Sequence, residues 1–510
     1  MHQLRILIPL LFFSSGWLFS QKTMIYTHVD RDFREAWDLY QKEKYEAARA
    51  GFEKAAGNYF YPGNLVRVDS EFLPGVCAVE LFNKDAEWLL QEFISKHPES
   101  GNVLYAYLNL GNYNFRKKRY KDVIKWLEKV DPLDLQTHER EEYHFYLGYA
   151  WFEQGNASKS RSHLAEIKDK GGKYAVPARY YYAHMDYADL NLESSLKVFR
   201  SLTGDPDFGP VVPYYISHIL FMQKKYEEVV SYAPPLLKDT ANAARAPEIS
   251  RIVGESFFRL GDFKEAIPYL EKYRELKGVL NRSESYQLGY SYYRVQNFSK
   301  ALVNFRSCAG GEDSLSQNTY YHMGDCFVKQ NEKQKAADAF YLAYKIGLNQ
   351  NIREDALFNY AKLSYELSYS PFNEAIKAFE NYLNDYPNSN RKDEAFGYLV
   401  NVYYNTKNYE AALASIEKIN NLPPKMKAVH QKLAYLRGLQ LYNDKKYTEA
   451  TDHFNKSLKL NEDKEVSSLS MYWKANCLFF ISESGKNPEI LDQSTRAFKA
   501  FLFEPGASNT

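Results

Sequence analysis

The chain has 510 residues, with 65 Lys plus Arg against 64 Asp plus Glu and a formal net charge of +1. That balance argues against polyanion binding as the main role, and 45% apolar with 25% charged residues excludes a disordered chain. Four Cys exclude a disulfide scaffold, while 44 Tyr, 32 Phe and 6 Trp supply ample material for a packed core.

Residues 1–20 read as a secretory signal. His2 and Arg5 precede an apolar run from Ile6 to Phe13, and small residues follow at Ser14, Ser15 and Gly16. Cleavage is expected after Ser20, with Gly16 as the alternative. The run is too short to cross a bilayer, which needs about 20 residues. No Cys lies near the cleavage site, so a lipid-modified N-terminal Cys is excluded. No later segment has a long unbroken apolar run, so no transmembrane span is expected after signal removal.

From there on a repeat dominates. A small residue is followed four positions later by a large apolar one at Ala48/Phe52, Ala86/Leu90, Ser160/Leu164, Ser195/Phe199, Ala266/Leu270, Ala301/Phe305, Ala336/Phe340, Ala375/Phe379, Ala412/Ile416 and Ala450/Phe454. Val123/Leu127 and Val229/Ala233 are degenerate versions. Ala266, Ala301 and Ala336 recur at intervals of 35. Twelve positions before many of these stands a glycine: Gly111, Gly148, Gly254, Gly289, Gly324 and Gly438. Residues four apart share a helix face. A glycine within a helix costs about 1 kcal/mol of propensity, and is useful where a neighbouring helix must approach closely. Each unit therefore reads as two helices packed as an antiparallel hairpin, with turn chemistry such as Leu260-Gly261-Asp262 between them. One hairpin cannot bury its own apolar face, so neighbours stack into a continuous core.

This pattern resembles the tetratricopeptide repeat, W-x2-L-G-x2-Y, then A-x3-F, then P. The best matches are Ile249–Tyr273, with Gly254, Phe257, Ala266 and Leu270, and Ser285–Cys308, with Gly289, Tyr292, Ala301 and Phe305. The closing Pro is present at Pro98 and Pro387. The resemblance covers about residues 29–503 and implies an all-α, right-handed α-solenoid of 12–13 stacked hairpins of the exported bacterial type. Three stretches follow the signal: degenerate units over 21–243, well-matched units over 244–390, and C-terminal units over 391–510. Pro74 stands where the second unit needs a small residue, the tenth has extra residues around Ser370-Pro371, and units over 176–243 lack the first glycine. The last unit is expected to be incomplete or uncapped, with a first helix near Leu469–Phe480 and a second around Thr495–Phe503 carrying Ala497/Phe501. The chain is read there as the front of a longer array.

Chemical motifs are missing. The sequence has no phosphate-binding loop, no G-x-G-x-x-G and no G-x-S-x-G elbow. His138-Glu139 is followed by His144, six residues on, whereas a zinc-protease helix needs its two His four apart. No catalytic residue, metal site or cofactor is expected, and the chain reads as no enzyme. Cys308 and Cys326 lie in successive units, and buried free thiols are expected for them rather than a disulfide.

In the family resembled, the first helix of each hairpin lines a concave groove that binds partner segments. The groove positions this implies are Phe145, Tyr149, Phe152, Arg251, Phe258, Tyr286, Tyr290, Tyr293, Tyr321, Phe358, Tyr365 and Tyr404, each open to an alternative reading as core. Arg259, Arg294, Asp325 and Lys329 sit among them. Chaperone-binding members of the family hold a C-terminal carboxylate in a Lys/Asn clamp. Leu108/Asn112 and Gly397/Asn401 hold those places here, so the clamp is absent. The expected role is a periplasmic or outer-membrane-associated scaffold whose partners are envelope clients or assembly components, with no nucleic acid. The alternatives are a glycan-binding surface module and the repeat part of a longer enzyme.

Overall fold

The computed structural model describes residues 28–61, 63–367, 373–419, 422 and 424–503. The expected signal, the Ser370-Pro371 insertion and the chain's last seven residues lie outside them. All regular structure among the described residues is helical. The chain divides into two compact units, up to Gln223 and from Lys224 onward.

The first unit holds α1 (Arg31–Gln41), α2 (Tyr45–Ala56), α3 (Leu65–Glu80), α4 (Ala86–Lys96), α5 (Asn102–Arg116), α6 (Tyr120–Leu127), α7 (Thr137–Glu153), α8 (Ala157–Ala165), α9 (Ala175–Ala188), α10 (Leu192–Ser201) and α11 (Val212–Met222). The second unit begins with α12 (Tyr226–Tyr232) and continues with α13 (Ala246–Leu260), α14 (Phe263–Lys277), α15 (Arg282–Arg294), α16 (Phe298–Arg306), α17 (Ser314–Lys329) and α18 (Lys333–Ile346). It ends with α19 (Gln350–Leu367), α20 (Asn373–Asp385), α21 (Lys392–Asn405), α22 (Tyr409–Ile416), α23 (Pro424–Asn443), α24 (Tyr447–Leu460), α25 (Lys464–Gly485) and α26 (Pro488–Leu502). Within each unit, a helix packs on its successor, and the odd-numbered helices also touch the next odd-numbered one.

The reason lies in the small residues. A Cβ placed on Gly111, Gly148, Gly254, Gly289, Gly324 or Gly438 would come within 2.3–2.9 Å of Leu127, Leu164, Leu270, Phe305, Phe340 or Phe454 respectively. Each pair is 16 residues apart, so the same close approach recurs in hairpin after hairpin. The turns recur too. Residues of positive φ stand at Glu43, Phe82, Lys118, Gly155, Leu190, Gly261, Gln296, Asn331, Lys407 and Lys445. The residue after each bonds back five positions, as in Asp262 N–H to Phe257 O (2.9 Å) and Asn297 N–H to Tyr292 O (2.9 Å). This is the Schellman closure of a helix end.

Buried glutamines stitch hairpin to hairpin. Gln431, fully buried, accepts the Glu462 and Asp463 backbone N–H groups at 2.7 and 2.6 Å and donates to Asp463 O and Ser467 Oγ. Gln317 makes the same two-way bond to the backbone of Asn349.

Two expectations need correction. In the second hairpin the close approach is made by Gly75, one residue beyond Pro74, whose Cβ would lie 2.7 Å from Leu90. The helix α3 carries Pro74 within it and still places a glycine at the contact. The last hairpin has both its helices, with other bounds than expected. Its first helix runs 22 residues, Lys464–Gly485, and its second starts at Pro488, not Thr495. Asn487 caps α26 by accepting the Glu489 and Ile490 N–H groups, with Pro488 in the first turn. The buried small residue of the second helix is Ser494, not Ala497, and Phe498 and Phe501 both meet Tyr472 of the first helix, at 6.2 and 5.5 Å between ring centres. Buried Ser494 donates to Ala475 O at 2.9 Å, as Ser160 donates to Gly148 O at 2.8 Å. Ser160 and Gly148 are 12 residues apart, Ser494 and Ala475 are 19. The seven added residues are about two helical turns, which lengthen α25 without turning its face.

Candidate inner-face site

The odd-numbered helices are joined by polar bonds across successive hairpins. In the first unit Asn102 donates to Asp69 (2.7 Å), Tyr174 to Glu142 (3.3 Å), and Tyr187 pairs with His218 (3.0 Å). In the second, the Tyr293 hydroxyl donates to Asp325 Oδ2 (2.8 Å) and that of Tyr321 to Asp355 Oδ2 (2.7 Å). Arg391 closes on the other oxygen of Asp355 at 2.5 Å. A tyrosine's ring packs between helices while its hydroxyl reaches a carboxylate on the next hairpin.

The expected groove residues differ in burial and in partners. Phe145 and Phe358 are 8% and 4% exposed. They are buried among helix contacts. Tyr149 and Phe152 are half-buried around Tyr181, at 4.7 and 5.2 Å between ring centres. Arg251 is half-buried between Glu248 and Glu255 of its own helix, at 2.6 and 3.1 Å. Phe258 packs on Phe263 and Tyr290. Tyr286, Tyr290, Tyr293 and Tyr321 surround His322, with ring centres 5.0–6.3 Å away. Burial holds the His322 imidazole down to about 4, so it stays neutral. Burial, then the Asp325 and Asp355 bonds, raise the hydroxyls of Tyr293 and Tyr321 well above their ordinary value. Tyr365 meets Tyr398 on the next odd-numbered helix (5.3 Å), and half-buried Tyr404 meets Tyr409.

Two cavities of the second unit are lined in part by its odd-numbered helices. One, of about 340 Å³, is lined by Tyr293, Arg294, Gln296, Phe298, Asp325 and Lys329. It contains the sequence-expected Tyr293 with three charged neighbours singled out beside it. The other, of about 310 Å³, is lined by Asp393, Glu394, Gly397, Tyr398, Asn401, Ile419 and Met426. Sequence reasoning reached Gly397 and Asn401 only as places where a clamp was missing. The usable signal was Gly397 itself, a helical glycine against which no atom packs within 4 Å. Among the described residues no three His, Cys, Asp or Glu side chains gather as metal ligands. The four Cys are free and buried. Burial raises their thiols, to about 12 for Cys308 and Cys326.

The repeat geometry can now be set beside known proteins. A family model described as outer membrane lipoprotein (YfiO) matches residues 352–499, covering α19 to α26 almost completely. The TPR repeat-containing protein MJ1428 of Methanocaldococcus jannaschii is 23% identical over 248 residues, 47% of this chain and 38% of its own length. In the spacing and close packing of its hairpins this chain is similar to tetratricopeptide-repeat proteins. It spans less than two-fifths of that relative. A chain from the crystal structure of the APC/C hetero-tetramer Cut9–Hcn1 aligns over 88% of this chain and 97% of its own, at 12% identity and a TM-score of 0.24. No described helix of the repeat array is long and apolar enough to cross a membrane.

Proposed function

We propose that this chain is a non-catalytic protein–protein interaction scaffold of the cell envelope, holding partner segments along the inner face of its odd-numbered helices. The observation that carries this reading is the pair of cavities lined in part by those helices, each combining exposed charged groups with aromatic or apolar walls. Mixed walls of this kind suit an extended segment or a partner helix. Export after residues 1–20 and a periplasmic or outer-membrane-associated position draw support from the N-terminal sequence and from the likeness of 352–499 to an outer membrane lipoprotein family.

The test is a pull-down of detergent-solubilised envelope with purified residues 21–510, read at low and high salt. A small set of envelope proteins retained at both is expected, and a change of Glu394 and Asn401 to Ala, both exposed cavity residues, should reduce that set. Retention of nothing, or retention only of glycans, would overturn the scaffold reading.

A further inference from the structure

We infer that the second unit binds an acidic, extended segment of a partner protein across the ends of α13, α15 and α17. The inference rests on the scaffold reading and supplies the chemistry of its partner.

Arg259, Arg294 and Lys329 stand five residues after Gly254, Gly289 and Gly324, so they hold one register in three successive hairpins, 35 residues apart. All three are exposed. Arg259 meets Glu255 of its own helix at 3.1 Å. Arg294 lies over the Phe263 ring, 4.6 Å from its centre, and its Nη1 donates to the Tyr290 hydroxyl at 3.4 Å. Neither Arg294 nor Lys329 has a carboxylate in ion-pair distance among the described residues. The 340 Å³ cavity lies between these two, over the rings of Tyr293 and Phe298. Its single carboxylate, Asp325, already accepts the Tyr293 hydroxyl at 2.8 Å. Two cations against one engaged carboxylate leave the cavity with a net positive charge, suited to one incoming carboxylate beside an apolar side chain. The other cavity has the opposite sign, with Asp393 and Glu394 and no cation in its lining.

Packed helices lie about 10 Å apart, and an extended chain advances about 3.3 Å per residue. The three cations therefore match a segment with an acidic residue at every third position. This register is four residues beyond the second place of the chaperone clamp, so it is a separate arrangement.

The experiment uses the full chain after residue 20 and a fluorescent nine-residue peptide with Glu at every third position, read by anisotropy. Binding is expected to be salt-sensitive. The triple variant Arg259→Gln, Arg294→Gln, Lys329→Gln should bind at least about tenfold more weakly, and Lys329→Gln alone about threefold. The same peptide with Gln for Glu should not bind. Its thermal unfolding, unchanged from wild type, establishes that the triple variant is folded. The inference is overturned if the acidic peptide fails to bind, if the amide peptide binds equally, or if the folded triple variant binds as well as wild type. In those cases the scaffold reading stands if wild type still retains envelope proteins in the pull-down, and falls with it if nothing, or only glycan, is retained.

Discussion

The hairpin α17–α18 and the final hairpin α25–α26 solve one packing problem with different residues. In the first, Gly324 admits the Phe340 ring to within 2.8 Å of where a Cβ would stand. In the last, buried Ala475 takes the glycine's place, and Ser494 fastens the second helix to the Ala475 carbonyl. The first pair of helices is joined through a left-handed Asn331, the last through a left-handed Lys486 followed by an Asn487 cap. What recurs is a small buried residue facing the second helix, not one residue type. A seven-residue insertion is tolerated because two whole turns return the same face to the contact.

Gly324→Ala forces a methyl against a buried aromatic ring that cannot bend away, and should destabilise the second unit by about 1–3 kcal/mol in denaturant unfolding. Ser494→Ala keeps the close approach and removes one buried hydrogen bond, so a loss of about 1 kcal/mol is expected, confined to the last hairpin in hydrogen exchange. Gly397→Ala should reverse the sign and stabilise by up to about 1 kcal/mol, because a helical glycine with open space beside it only gains propensity. A neutral Gly324→Ala would remove close approach as the explanation of the repeat.

The fold was legible because its constraint is local and periodic. All twelve small/large pairs, from Ala48/Phe52 to Ala450/Phe454, are buried, including the degenerate Val123 and Val229. The end of the array was less legible because Ser494 stands 19 residues after Ala475, which breaks the twelve-residue spacing. The inner face was partly legible. Charged residues such as Arg294 and Lys329 stayed exposed as their type suggests. The aromatics divided, since tyrosine satisfies both a packed interior and a polar surface. Tyr293 has its ring by His322 and its hydroxyl on Asp325. Nothing in the spacing of tyrosines separates that arrangement from a free groove residue.

The most direct test of the inner-face scaffold is a site-specific photocrosslinking scan in intact cells. A benzoylphenylalanine would replace Gln296 or Asn401, one in each cavity, or Asp338, exposed on the second helix of its hairpin. Adducts with the same small set of envelope proteins are expected at 296 and 401, and none at 338. Adducts at 338 with none at 296 or 401 would contradict the inner-face scaffold.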